Sequence, residues 1–173
     1  MSEISIRFAT PDDAELIAAF SRQTFYETFA GENTKEDMEH FLNEKFTREA
    51  LMKEVGAEGN IFLLAYIDND AVGYVRMRES QNPPELGEAR GIEIARLYAA
   101  THLIGTGIGS ALMQKCLSIA LTKSVQVIWL GVWEHNLRAI EFYTKWGFEK
   151  FGEQDFVLGN DVQTDWLMKK TIA

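Results

Sequence analysis

The stretch from Ile94 to Met113 limits what this chain can fold into more than any other part of the sequence. It begins with residues typical of a strand, continues through a loop that contains Gly105, Gly107 and Gly109, and ends in residues typical of a helix. A helix start exposes unpaired backbone N–H groups and the positive end of the helix dipole, and glycines let the backbone approach an anion closely. The stretch therefore predicts a binding site for a phosphate-bearing small molecule.

The glycine spacing excludes two common phosphate-binding motifs. A dinucleotide fingerprint needs Gly-x-Gly-x-x-Gly and an acid about twenty residues later. Counting from Gly105 places Ser110 at the third glycine, counting from Gly107 places Leu112 there, and the segment 125–130 contains no acid. The Gly-Lys-Ser/Thr of a nucleotide-triphosphate loop is also absent. A glycine turn with a purely structural role is the remaining alternative for the loop alone.

Length, charge and cysteine content narrow the class of protein. A chain of 173 residues that is 46% hydrophobic predicts one packed domain, residues 1–173. Its net charge of −9 argues against nucleic acid or an anionic membrane as a partner. Cys116 is the single cysteine, which excludes an intrachain disulfide. The start of the chain lacks a signal-peptide pattern and no apolar run approaches a membrane span, so we expect a soluble cytoplasmic protein.

Capping, turn and periodicity signals give the element order β-αα-ββ-β-α-β-α-ββ. Thr10 and Thr34 each begin a capping pattern with an acid three residues later, so each starts a helix, and the first is expected to run to about Phe29. The other predicted elements are strands 4–8, 60–67, 71–78, 93–99 and 125–132, helices 48–55, 107–121 and 136–146, and one or two short strands after Phe148 with a turn at 159–161. This order predicts a mixed α/β sheet with helices on both faces.

Two segments carry a family resemblance. The strand, the loop Gly105-Thr-Gly-Ile-Gly109 and the helix start Ser110-Ala-Leu-Met113 resemble the acetyl-CoA signature of GNAT N-acetyltransferases. The segment from Trp133 to Phe148 resembles the Asn-x-x-Ala-x-x-Phe-Tyr-x-x-x-Gly-Phe motif of the same family. Two motifs in the right order and separation are far more specific than either alone, and the resemblance covers essentially the whole chain. It implies the GNAT fold, a mixed and mostly antiparallel α/β sheet.

The chain departs from the family pattern in the glycine loop. Ile104 stands where the family usually has Gln or Arg, and Thr106 stands where Lys or Arg is frequent. Two side chains that often assist the pyrophosphate are therefore missing, which leaves the backbone cradle or other basic residues, Arg138 and Lys145, to hold it.

The resemblance implies an enzyme that transfers an acetyl group from acetyl-CoA directly to a primary amine without a metal. Its coenzyme contacts would come from the strand end, the glycine loop and the next helix start, namely Leu97, Tyr98, Ala99, Gly105, Thr106, Gly107, Ile108, Gly109, Ser110 and Asn136. A backbone N–H near Leu97 would polarise the acetyl carbonyl. Asn136 is also well suited to cap a helix, and both roles can hold at once.

The reaction needs a proton acceptor and a proton donor. At pH 7 only about one alkylammonium in a thousand is the free amine. By the family motif, Tyr143 is the candidate acid for the leaving thiolate, although Ile140, Tyr143 and Trp146 also have the spacing of a buried helix face. Glu93 is the candidate base, with an exposed strand-end carboxylate as the alternative, and many relatives use a chain of water molecules instead.

The acceptor is suggested by charge and by a second resemblance. Residues 1–60 contain 13 acids and 6 bases, and an acidic mouth would attract a cationic amine. A solvated helical surface explains the same charges equally simply. Residues 24–37 resemble the bacterial spermine/spermidine acetyltransferase branch, so we expect a polyamine-like acceptor, with Phe25, Tyr26 and Glu27 as candidate substrate contacts.

Two other functions remain open from the sequence. An acetyltransferase for protein or peptide amines predicts an open groove between the N-terminal helices and the 79–90 loop. A non-catalytic sensor that binds acyl-CoA fits the altered glycine loop, although an intact Tyr143 disfavours it. A homodimer is also left open. His40, His102 and His135 are scattered without metal-ligand spacing.

Overall fold

The computed structural model describes residues 3–79 and 82–172, and seven strands in this part of the chain form one sheet. The strands are β1 (Ile4–Phe8), β2 (Asn60–Ile67), β3 (Asp70–Arg78), β4 (Gly91–Ala99), β5 (Val127–Trp133), β6 (Glu149–Leu158) and β7 (Asp161–Thr171). Their order is β1-β2-β3-β4-β5-β7-β6. β4 and β5 are parallel, and each other neighbouring pair is antiparallel. The predicted mixed, mostly antiparallel sheet is confirmed.

Five α-helices lie within the described residues. They are α1 (Ala14–Phe29), α2 (Lys35–Glu44), α3 (Arg48–Glu54), α4 (Ile108–Thr122) and α5 (Leu137–Lys145). The caps read from the sequence are present, because the Thr34 hydroxyl accepts the Asp37 N–H at 3.0 Å and the Thr10 N–H donates to the Asp13 carboxylate at 2.9 Å. These bonds satisfy backbone or side-chain groups that a helix start would otherwise leave unpaired.

The helices cover opposite faces of the sheet. Alternate side chains of a strand point to opposite faces, and on β2 Leu63 packs in a core with α4 and α5, whereas Leu64 packs against α1. A third cluster, rich in phenylalanine, joins α1 and α2 to β5 and β6. The sheet is therefore sandwiched between α1–α3 and α4–α5, as the element order predicts.

Apart from β4, which begins at Gly91 and not at Glu93, the predicted boundaries differ by more than one residue at two places. β6 and β7 span 10 and 11 residues instead of short strands, because the edge strand β6 gains its order from an almost continuous ladder with β7 and not from apolar alternation. β5 begins at Val127 and not at Val125, because the Val125 N–H still bonds to the Ala120 carbonyl at the end of α4. Neither difference changes the order of elements.

Candidate active site

A wedge opens between the two parallel strands at the centre of the sheet. Residues 91–93 of β4 pair with residues 127–129 of β5, and beyond this ladder β4 continues beside β3 while β5 continues beside β7. The resulting cleft has a volume of about 660 Å³. An unpaired strand edge carries N–H and C=O groups that need partners. The cleft edge of β4 can therefore hydrogen-bond an extended ligand.

A β-bulge lies where the wedge begins. Arg76 of β3 pairs with Arg96 and Met77 pairs with Ile94, so Ala95 has no opposite residue on β3. A bulge bends its strand and redirects the side chains that follow. Both flanking segments of β4 line the cleft, including the predicted coenzyme residues Leu97, Tyr98 and Ala99.

The glycine loop delivers the start of α4 to the same cleft. Gly105 and Gly107 have φ values of +91° and +96°, in the left-handed region that favours glycine, and Gly107 is the N-cap of α4. Gly109 and Ser110 follow in the first turn and line the cleft. The first N–H groups of a helix have no partner inside the helix, so they remain free to bind an anion.

Two predicted coenzyme residues of this loop have their side chains elsewhere. The Ile108 side chain is buried in the core on the α4 side, and the Thr106 hydroxyl donates to the Leu103 carbonyl at 2.5 Å. Neither residue lines the cleft, so any contact with a ligand would come from its backbone. Ile104, which replaces a common polar residue of the family, is partly exposed and lines the cleft with its apolar side chain.

α5 brings Asn136, Arg138 and Tyr143 to the opposite wall. The Asn136 side chain caps α5 by accepting the Ala139 N–H at 3.3 Å, which confirms the capping role. Arg138 lines the cleft, whereas Lys145 pairs with Glu141 at 3.3 Å on an exposed surface. Of the two basic residues considered for the coenzyme, the structure therefore places only Arg138 at the cleft.

Tyr143 combines burial with access to the cleft. Its side chain is 8% exposed and packs edge-on against Phe142 and Phe148, with ring centroids 5.4 Å and 5.7 Å away. Burial raises the pKa of the Tyr143 hydroxyl above its ordinary value, because the phenolate would be poorly solvated. Tyr143 is therefore both a core residue and a neutral hydroxyl at the cleft wall.

Glu93 is a buried carboxylate with a fixed partner. It is 7% exposed, which rules out the alternative of an exposed strand-end carboxylate. Its Oε1 lies 2.6 Å from Nη2 and 2.7 Å from Nε of Arg78 on the neighbouring strand. Burial raises the pKa of Glu93, and the attraction of Arg78 opposes that rise. The pair lines the cleft at its narrow end.

Of the three candidate substrate residues on α1, two line the cleft and one does not. Phe25 is buried and lines the cleft with Phe29, Phe41 and Phe46, which together form an aromatic wall, and its ring stacks on Phe41 with centroids 4.6 Å apart. Glu27 also lines the cleft and accepts hydrogen bonds from Thr101 and Gln23. The Thr101 bond lowers the pKa of Glu27. Tyr26 is half-exposed and lies outside the cleft lining.

The acidic residues of the N-terminal segment do not gather at the cleft. Of the thirteen in residues 1–60, Glu27 is the one that lines it. The described residues of the 79–90 loop contribute nothing to the lining, and residues 80 and 81 lie outside the described part of the chain. The charge at the cleft therefore depends on the particular side chains that line it and not on the net charge of residues 1–60.

A half-buried ion cluster joins α3 to β3 and β4 and was not found from the sequence. Arg96 binds both carboxylate oxygens of Glu54 at 2.9 Å, and Arg76 contacts Glu54 at 3.2 Å. The Arg96 guanidinium also lies 4.9 Å from the centre of the Phe46 ring. These residues come from α3, β3 and β4, and a cluster assembled across such separations leaves no local pattern in the sequence.

Asp165 on β7 is a second cleft residue that the sequence reasoning missed. It faces Trp133 of β5 and Gln154 of β6 in the ladder and lines the cleft. Burial raises the pKa of Asp165 to about 6, and a hydrogen bond with Gln154 opposes that rise. The sequence signal that could have found Asp165 is the alternation of side chains along a strand. Asp165 lies two residues before the buried Leu167 and therefore on the same face of β7.

Within the described residues, no group of three or more His, Cys, Asp or Glu side chains could hold a metal ion. No helix in this part of the chain is long and apolar enough to cross a membrane.

Known proteins are similar to this chain in sequence and in fold. Residues 22–148 match the model of the Acetyltransferase (GNAT) family. The Lactobacillus delbrueckii subsp. lactis protein named "Uncharacterized N-acetyltransferase in pepI 3'region" is 34% identical over 173 residues and is covered in full, as is this chain. The chain therefore belongs to the GNAT acetyltransferase family. It is an acetyl-CoA-dependent N-acetyltransferase, and acetyl-CoA is its co-substrate.

Two further similarities concern Thermoplasma acidophilum. Its spermidine N(1)-acetyltransferase is 28% identical over 161 residues, which cover 90% of this chain and 95% of the relative. The crystal structure of PaiA N-acetyltransferase from that organism in complex with coenzyme A has a TM-score of 0.77 and 25% identity, and the match covers 98% of this chain and 99% of the other.

Proposed function

We propose that this chain, acting as one N-acetyltransferase domain over residues 1–173, acetylates the primary amine of a small cationic acceptor such as a polyamine. One observation carries the proposal. A single cleft leads from the free N–H groups at the start of α4 to a wall that combines the aromatic rings of α1 and α2 with carboxylates. The first end suits a phosphate and the second suits an alkylammonium.

The coenzyme fits the half of the cleft built from backbone. Its pyrophosphate would bind the N–H groups of Gly109 and Ser110, with Gly105 and Gly107 allowing the close approach. Its extended pantetheine arm would pair with the free edge of β4 from Leu97 to Ala99, and a backbone N–H near Leu97 would polarise the acetyl carbonyl. The Asn136 amide would donate to the same arm while its oxygen caps α5.

Transfer removes two protons from the acceptor nitrogen and exchanges a C–S bond for a C–N bond. The acceptor ammonium loses a proton, and its nitrogen then forms a bond to the acetyl carbon. The C–S bond breaks as the second amine proton leaves, and the Tyr143 hydroxyl protonates the thiolate. Because burial raises the pKa of Tyr143, this hydroxyl is protonated at neutral pH. Glu93 and Asp165 are the carboxylates available for the first step, and a chain of water molecules is the alternative.

The acceptor half suits a chain of methylene groups with positive ends. The buried rings of Phe25, Phe41 and Phe46 offer apolar contact, and Glu27 supplies an acceptor for an ammonium. The name of the Thermoplasma acidophilum relative, spermidine N(1)-acetyltransferase, supports the same class of acceptor.

Thiol release from acetyl-CoA in the presence of different acceptors tests the proposal. We expect spermidine and spermine to be acetylated with a kcat/KM more than about tenfold above that of a monoamine of similar length, because the second ammonium adds a charge contact of about 1.4 kcal/mol. Mass spectrometry of the product should show one acetyl group on a primary amine.

Two outcomes would contradict the proposal. Preferential acetylation of lysine-containing peptides would assign the enzyme to protein or peptide amines. Coenzyme binding without thiol release for any acceptor would identify a protein that binds acyl-CoA without catalysis.

A further inference from the structure

We infer that Asp165 is the group that takes the proton from the acceptor ammonium. The inference rests on the proposed function and adds a residue that the family motifs do not include. It depends on where Asp165 stands, on what contacts it, and on how it differs from Glu93.

Asp165 stands beside the point where the sheet opens. The ladder between β4 and β5 ends at Trp129, and Gly131 follows two residues later on β5. A side chain at position 131 would place its Cβ 3.4 Å from Oδ2 of Asp165 and 2.8 Å from Nε2 of Gln154. Because position 131 is glycine, both polar groups occupy the space over the backbone of β5. The carboxylate therefore lies over β5 in the same cleft as the acetyl site proposed on β4.

The Asp165 carboxylate has no cationic partner, unlike the other buried carboxylate of the cleft. No Lys, Arg or His nitrogen lies within 4.0 Å of it among residues 3–79 and 82–172. Glu93, by contrast, is bound by two nitrogens of Arg78. An ion-paired carboxylate is a weaker proton acceptor, since the proton would have to displace the guanidinium or share the site with it. An unpaired carboxylate in a desolvated cleft retains its attraction for a cationic amine.

The groups that face Asp165 leave it free to titrate near neutral pH. Its ladder neighbours, Trp133 on β5 and Gln154 on β6, do not titrate in this range. On β4, burial is the main cause that raises the pKa of Tyr98, and the negative charge of Asp165 adds to that rise. The cleft also contains the Glu93–Arg78 pair from β3 and β4, Arg76 and Arg96 beside Glu54, Glu27 on α1 and Arg138 on α5.

The proton balance follows from this placement. The ammonium gives one proton to the Asp165 carboxylate and becomes a neutral amine, which attacks the acetyl carbon. After the C–N bond forms, the C–S bond breaks and Tyr143 protonates the sulfur, and the second proton that the nitrogen loses restores the Tyr143 hydroxyl. Asp165 then releases the first proton to solvent. The products are an N-acetylamine and coenzyme A, and one proton is released to solvent in each cycle.

Activity should therefore be lost as the pH falls through the pKa of Asp165, because protonation removes the acceptor site. In assays with spermidine and saturating acetyl-CoA between about pH 5 and pH 9, we expect an acidic limb in kcat/KM with an apparent pKa of about 6. Asp165→Asn should lower kcat/KM at pH 7 by about 100-fold or more and remove that limb, because general bases contribute rate factors of this size.

Three matched variants define the interpretation. Asp161→Asn makes the same chemical change at an exposed position of the same strand outside the cleft lining, and it should keep both the rate and the acidic limb. Glu93→Gln should keep the acidic limb near pH 6 whatever its rate. Asp165→Glu should recover part of the lost rate. Binding of acetyl-CoA by Asp165→Asn should stay within about twofold of the wild type, which shows that the fold is intact.

Several results would overturn the inference. An unchanged acidic limb in Asp165→Asn would do so, as would loss of the limb in Glu93→Gln. A rise in the KM for spermidine with kcat and the limb unchanged would show that Asp165 only binds the acceptor.

A second measurement needs neither turnover nor a folded variant. Carbon-13 NMR of the aspartate carboxyls in the wild-type complex with coenzyme A should show one that titrates near pH 6 and shifts when spermidine is added. Spectra in which all aspartate carboxyls titrate in their usual range would contradict the inference. Failure of thiol release with every amine would instead count against the proposed function.

Discussion

The half of the cleft that we propose for the coenzyme, the coenzyme half, and the half that we propose for the amine, the acceptor half, are built in different ways. The coenzyme half consists mainly of backbone from one continuous stretch, residues 97–110, whose glycines and helix start place N–H groups in the wedge. The acceptor half consists of side chains from α1, α2 and five strands, with Glu93, Glu27 and Asp165 brought together from distant positions. A backbone site is specified locally, whereas a side-chain site exists only after the sheet has formed.

The largest effect should come from Tyr143, where the two halves meet. Tyr143→Phe should lower kcat by about 100-fold or more while leaving the KM for acetyl-CoA nearly unchanged, because the ring still packs but the proton donor is lost. Since burial raises the pKa of Tyr143, this residue should cause no loss of activity as the pH rises towards the usual tyrosine value. Steady-state kinetics over pH tests both statements.

Tyr66→Phe is the matched control for this substitution. Tyr66 lies on β2, where its hydroxyl accepts a hydrogen bond from Arg7 at 3.0 Å, and it is not among the residues that line the cleft. Equal rate losses in the two variants would show that Tyr143 acts through packing and not as an acid.

The coenzyme half can be tested at its backbone. Gly107→Ala places a Cβ on a residue with φ of +96°, which costs about 1–2 kcal/mol in the left-handed region. We expect the KM for acetyl-CoA to rise by about tenfold, with kcat at saturation and the KM for spermidine little changed.

Gly31→Ala provides the comparison for Gly107→Ala. Gly31 is exposed, its φ lies outside the left-handed region, and a Cβ there meets no described heavy atom within 4 Å. If both variants bind acetyl-CoA as the wild type does, the glycine loop does not form the cradle.

A smaller effect is expected in the acceptor half. Glu27→Gln should raise the KM for spermidine by at most about fivefold, because ion pairs near solvent contribute about 1 kcal/mol or less. The KM for acetyl-CoA should stay constant. Glu32→Gln, an exposed position outside the cleft lining, should leave both values unchanged. A change in the KM for acetyl-CoA alone would contradict the assignment of Glu27 to the acceptor half.

The smallest effect is expected for Arg138, the arginine at the cleft that could replace the basic side chain missing from the glycine loop. Arg138→Gln should raise the KM for acetyl-CoA by about threefold at low salt, and the difference should shrink as salt screens the phosphate contact. Arg48→Gln removes an exposed arginine that pairs with Glu15 outside the cleft, and it should not alter this KM. A salt-independent effect of Arg138→Gln would indicate lost packing.

The difference between the halves explains what could be predicted from the sequence. Caps such as Thr34 and the glycine loop each lie within a few residues, so the element order and the position of the loop at the start of α4 were predictable. Tyr143 and Asn136 were found through a motif within one helix. Tyr143 is buried and Asn136 caps α5, whereas the contacts of both residues with the coenzyme stay predictions.

The remaining parts depend on packing between distant segments. Tyr26 and Phe25 are adjacent in sequence, but one helical step of about 100° turns Tyr26 away from the cleft. Asp165 became a candidate only when the ladder placed it over Gly131. The excess of acidic residues in 1–60 predicted a negative local charge, but it did not predict where the individual carboxylates lie.

The short ladder between β4 and β5 has a consequence for how such enzymes diversify. Gly91 begins this ladder, and a Cβ there would lie 2.8 Å from Leu86 and 3.2 Å from Trp129, so the contact is close. These nearest contacts of Gly91 lie on β5 and on the segment before β4. We therefore expect substitutions on α1 or β6 to change which amine is accepted while the proposed donor site stays intact, so that one scaffold can acquire new acceptors by changing one wall.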